Sequence, residues 1–99
     1  MELKHLAVAG TLESSDIQIV ISPLEDGIEL TIESSVLSQF GKQIKKTILE
    51  VLEELEVKGA KVIANDKGAL DCTIRSRVQT AVFRAVDQMD NLPWGVSIK

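Results

Sequence analysis

Ile28-Glu29-Leu30-Thr31-Ile32-Glu33-Ser34-Ser35-Val36-Leu37-Ser38-Gln39-Phe40-Gly41-Lys42-Gln43-Ile44 contains the change of period that decides the fold. Its first six residues alternate apolar and polar, the pattern of a half-buried strand with one wet face. From Ser35 the apolar residues recur at three- and four-residue steps: Leu37, Phe40, Ile44, Ile48, Val51 and Leu55, with Thr47 and Leu52 widening the stripe. That is the face of an amphipathic helix. Ser34 or Ser35 can cap it, since a serine oxygen accepts from the free amides of the first turn.

Downstream, Gly59 closes the helical region and 60–65 reads as a short buried strand, stopped by Asn65-Asp66-Lys67-Gly68. A second helical stripe follows on Leu70, Ile74, Val78, Ala81, Val82, Ala85 and Met89. Upstream, two further alternating runs predict strands at about 5–13 and 16–22, before the one at about 27–33. The connectors Glu13-Ser14-Ser15-Asp16 and 22–27 are built from turn residues. The order βββαβα predicts an α+β fold: a two-layer sandwich, mostly antiparallel sheet with two helices on one face. The 99 residues make a single domain, 1–99, with 92–99 as a C-terminal tail opened by Leu92-Pro93-Trp94-Gly95 and anchored by Trp94. Ile44, Ile48, Val51, Ile74, Val78 and Val82 are expected between helices and sheet.

Composition narrows the function. Eleven Lys+Arg against fifteen Asp+Glu give a net charge of −4, the wrong sign for displacing counterions from nucleic acid or adhering to an anionic membrane. No apolar run approaches the ~20 residues that span a bilayer. The N-terminus lacks the layout of a secretory signal. One cysteine, Cys72, makes no internal disulfide, which predicts a reducing cytoplasm. With one histidine, His5, three aromatic residues and no metal-ligand or phosphate-loop spacing, a self-contained enzyme is not expected. Such a chain would act in catalysis by carrying or positioning something.

Three segments could do chemistry. The turn Glu13-Ser14-Ser15-Asp16 offers adjacent hydroxyls between carboxylates, with no base beside them, so another enzyme would have to modify them; ordinary turn chemistry is the plainer account. Lys42, Lys45 and Lys46, placed against the helix dipole, form either a docking surface or a solvated face paired in part with Glu50, and the solvated face is favoured. Cys72 is read as buried and inert, and Arg75, Arg77 and Arg84 as rim contacts or salt bridges.

Ala7-Val8-Ala9-Gly10-Thr11-Leu12-Glu13-Ser14-Ser15-Asp16 resembles the N-terminal signature of the citrate lyase acyl carrier protein family, the gamma subunits of that complex. Gln39-Phe40-Gly41, Asp66-Lys67-Gly68-Ala69-Leu70-Asp71-Cys72 and Leu92-Pro93-Trp94 are similar to further blocks of the same family, in order and spacing along the whole chain. The resemblance implies a 2'-(5''-phosphoribosyl)-3'-dephospho-CoA group held covalently on Ser14. Its thiol would carry acetyl and citryl groups while citrate is cleaved to acetate and oxaloacetate. It implies as partners the alpha (acyl transferase) and beta (citryl lyase) subunits, a prosthetic-group transferase and an acetylating ligase, with no nucleic acid and no membrane. The chain departs from the family in having Ser15 where glycine commonly follows the modified serine, which leaves Ser15 as a second acceptor. Malonate decarboxylase uses a related carrier and is the competing identity. An unmodified scaffold subunit and a small enzyme acting through Cys72 are the readings from other classes.

Overall fold

The computed structural model describes residues 2–34 and 37–86, and of 37–40 the backbone alone. The elements are β1 (Ala7–Ala9), β2 (Ile17–Pro23), β3 (Gly27–Ser34), α1 (Leu37–Glu54), β4 (Gly59–Asp66) and α2 (Asp71–Val86). They form the α+β sandwich that the two periodicities predict. The sheet has the order β1-β2-β4-β3, with β1–β2 and β2–β4 antiparallel and β3–β4 parallel. The sheet is therefore mixed, and β4 inserts between the consecutive strands β2 and β3. The parallel pair follows from chain direction, because α1 crosses over between β3 and β4 as in any βαβ unit.

Side-chain alternation assigns the faces. Ile17, Ile19 and Ile21 of β2 and Ala60, Val62 and Ala64 of β4 are buried and point toward the helices. On β1 the inward residues are Ala7 and Ala9, small enough for α2 to lie close, with Ala81 and Ala85 buried on the helix side. The opposite face carries Val8, Val20 and Ile63 in one register row, exposed or half-exposed. All six residues expected between helices and sheet are buried, Ile48, Val78 and Val82 completely.

Helix α1 ends in a backbone cap without glycine. Glu56 adopts φ 56°, its N–H bonds Glu53 O at 3.0 Å, and the Val57 N–H reaches back to Leu52 O at 2.9 Å. Val57 and Leu52 are both buried, the apolar contact that accompanies such a cap.

Several expectations need correction. Strand β1 covers three residues, not 5–13, because Gly10 turns the chain out of the sheet at φ 88°. Leu70 is 69% exposed, since it precedes α2 instead of lying on its buried stripe. Cys72, expected to be buried, is exposed on the first turn of α2, whose inward positions begin at Ile74. The Ser35 cap, the side chains of Leu37 and Phe40, Met89, Trp94 and the tail 92–99 lie outside what is described.

Candidate functional site

The link between β1 and β2 runs from Gly10 to Asp16 and ends in a β-turn in which Asp16 N–H bonds Glu13 O at 3.2 Å. Ser14 and Ser15 are its two central residues and both are exposed. Ser15 has φ 65°, the left-handed value that a type II turn requires at its third position and that a residue with a Cβ adopts only at a cost. Ser14, one step earlier, is not among the positive-φ residues. Among the described residues, none forms a hydrogen bond with the Ser14 hydroxyl, and no base among them is seated against it.

Neighbouring segments hold the strained turn in place. The Ser15 N–H bonds Lys67 O at 2.8 Å, and the Lys67 N–H bonds Asp16 O at 2.9 Å, which carries the β2–β4 pairing past Asp66 into the loop before α2. That loop is itself fixed, because the buried Asp66 accepts from Ser34 Oγ at 2.8 Å and Ala69 N at 2.9 Å.

Asp16 is the centre of the arrangement. Its carboxylate accepts from Thr11 Oγ1 at 2.6 Å, Thr11 N at 3.1 Å and Ile17 N at 2.7 Å. It also takes a two-pronged pair of bonds from Arg77 Nε and Nη2 at 3.1 and 3.0 Å. The Arg77 guanidinium foremost, and then the Thr11 hydroxyl, hold this carboxyl well below the usual carboxylate range. Gly10 makes room for the arrangement: a Cβ there would run into the Ile17 carbonyl oxygen and press on the Arg77 stem. The sequence pointed to the serine turn but not to this bond pattern, because Asp16 reads as a turn residue and nothing local joins it to Arg77, 61 positions away.

The other candidates lie elsewhere or serve packing. Arg75 pairs with Asp71, Glu50 and Glu54 at 2.9, 3.0 and 3.5 Å, and Arg84 donates to Val8 O at 2.7 Å; both are the structural contacts expected of them. Glu50 thus meets Arg75, a partner the sequence did not suggest. Lys42, Lys45 and Lys46 are exposed on α1, as a solvated face requires. Among the described residues no group of His, Cys, Asp and Glu could hold a metal ion, and no helix is long and apolar enough to cross a membrane. A groove of about 780 Å³ is lined by Leu3, Pro23, Leu24, Glu56 and Lys58. It lies where β2 ends and β4 begins, at the other end of the sheet from Ser14, and its lining does not include the serine turn.

A small α+β fold that displays two adjacent exposed hydroxyls on a clamped turn has the attributes of an attachment platform. The family model for the acyl carrier protein described as malonate decarboxylase delta subunit matches residues 4–85. A citrate lyase acyl carrier protein of Treponema denticola is 58% identical over 85 residues, covering 86% of this chain and 97% of its own. That of Edwardsiella ictaluri is 50% identical over 96 residues, covering 95% and 96%. A chain in the crystal structure of a Pseudomonas malonate decarboxylase hetero-tetramer in complex with malonate superposes with a TM-score of 0.74 at 15% identity, over 86% of this chain and 88% of that one, a likeness of fold. The chain belongs to this acyl carrier protein family, within which the relatives at 50–58% identity are citrate lyase acyl carrier proteins.

Proposed function

We propose that the chain is the acyl carrier subunit of a citrate lyase, with 2'-(5''-phosphoribosyl)-3'-dephospho-CoA attached through a phosphodiester to Ser14. The observation that carries the reading is the exposed Ser14 hydroxyl on a turn clamped from both sides, in a chain so close to named citrate lyase carriers. A phosphodiester there would stay in water, so its charge would not be desolvated against the domain. When bound, the group supplies a thiol on a long flexible arm, on which the acyl group rides as a thioester.

The domain's part is to hold the arm's root still while the far end visits neighbouring active sites. Tethering provides an effective concentration on the order of millimolar there. The catalytic groups then belong to the alpha and beta subunits, which is why this chain needs no base near Ser14. A transferase and an acetylating ligase would install and charge the group in the cytoplasm. The net charge of −4 suits docking on basic surfaces of these partners. The malonate decarboxylase reading is favoured by the description of the family model alone; reconstitution with each system's catalytic subunits separates the two.

The test is intact-mass analysis and peptide mapping of protein from its native host, grown so that the lyase is expressed. The expected result is the added mass of the group on the peptide containing Ser14. A bare polypeptide mass under those conditions would sink the carrier reading in favour of an unmodified scaffold.

A further inference from the structure

Two serines stand side by side in the turn, and their surroundings are unequal. The Ser15 N–H is committed to Lys67 O, and its left-handed φ is maintained by the bonds on either side of it. The next residue, Asp16, is gripped by Thr11 and by the two-pronged Arg77, with only 13% of its side chain exposed. Arg77 projects from α2, which has seven buried residues of its own. A carboxylate–guanidinium pair of this geometry has one orientation, so it transmits the rigidity of the helix to the turn.

We infer that the Asp16–Arg77 latch is a positioning device that presents Ser14 and withholds Ser15 from the modifying enzyme. The inference rests on the carrier reading above. In the attachment step the serine Oγ forms a P–O bond to the phosphoryl group of a phosphoric-anhydride donor. The P–O bond to the departing phosphate breaks, and the serine proton passes to a base on the modifying enzyme. Such a displacement needs the attacking oxygen in line with the leaving group, and a misplacement of about 1 Å can cost on the order of a hundredfold in rate. Two hydroxyls on adjacent residues differ by more than that. A turn held in one conformation offers one of them, and a turn free to rearrange would offer both.

Arg77→Gln and Asp16→Asn remove the charged pair, Arg77→Lys keeps the charge without the two-pronged geometry, and Thr11→Val removes one grip while leaving Arg77 in place. Each apo-protein is incubated with the cognate transferase and its nucleotide donor. Initial rates come from intact mass, and the Ser14:Ser15 ratio comes from peptide mapping. The wild type should load on Ser14 alone. In Arg77→Gln the kcat for loading should fall about tenfold or more with KM little changed, and Ser15 should take a measurable share. Arg77→Lys should fall between the two. If Arg77→Gln or Asp16→Asn does not fold, Thr11→Val carries the comparison, with a smaller shift in the same direction. Variants that fold, load at the wild-type rate and stay exclusive to Ser14 would overturn the latch and leave the carrier reading intact. Wild-type loading on Ser15 would also overturn it. Wild-type protein that loads on neither serine would overturn the carrier reading itself.

Discussion

Thr47 Oγ1, fully buried in the middle of α1, donates a hydrogen bond to Asp71 Oδ1 at 2.6 Å, so the first residue of α2 is tied to the helix that precedes it by 24 positions. Arg75 closes the same carboxylate from the other side and reaches on to Glu50. The start of α2, and with it the loop that clamps the serine turn, is thus set by α1.

Thr47→Val keeps the shape of the buried side chain and removes the donor. The Asp71 carboxylate is half exposed and can turn to water, so no charge is stranded. The loss should be about 0.5–1.5 kcal/mol in denaturant melts, the net worth of one hydrogen bond. A loss of several kcal/mol would show that the bond anchors more than the two helices.

Ile48→Ala should cost about 2–5 kcal/mol, because Ile48 has no exposed surface and sits between α1 and the sheet. A neutral result in the same melts would contradict the packing of α1.

Gly10→Ala introduces a Cβ at φ 88° and aims it at the Ile17 carbonyl. Strain of that kind should cost about 1–3 kcal/mol. The damage should centre on the serine turn, seen as faster amide exchange at Ser15 and Lys67. Unchanged protection at those two amides would mean that the link tolerates a side chain.

Acid should weaken the fold through two carboxyls. Asp16 is held low by Arg77 and Thr11, and Asp71 by Thr47 and then Arg75. A carboxyl whose folded pKa lies below its unfolded value of about 3.8 stabilises fully above that value, and the contribution fades as pH falls toward the folded pKa. Urea midpoints should therefore hold steady from about pH 7 to 5 and drop below about pH 4. In Asp16→Asn the drop should be shallower. An equal drop in the variant would assign the acid sensitivity to other groups.

Ser14→Ala should leave the melting temperature within about 2 °C of wild type, since surface changes that break no contact stay within about ±0.5 kcal/mol. The same variant should lose the covalent group. Retention of the full added mass in Ser14→Ala would move the attachment to Ser15.

The amino-acid sequence by itself determined the two layers. Alternation in 28–33 and the helical stripe through Ile44, Ile48 and Val51 depend on neighbours within a few positions, and local periodicity records which face is dry. It also singled out the serine turn, because turn residues advertise themselves locally. It could not place β4 between β2 and β3, since strand order depends on pairings such as Val20 with Ile63, which leave no mark on either segment alone. Cys72 and Leu70 read as interior residues by their hydrophobicity alone; where α2 begins to face the sheet decides their exposure. The two Arg77 bonds to Asp16 likewise exist only once α2 has packed over β1 and β2. A carboxylate and a guanidinium 61 residues apart meet through the tertiary fold, and no short-range pattern encodes that meeting.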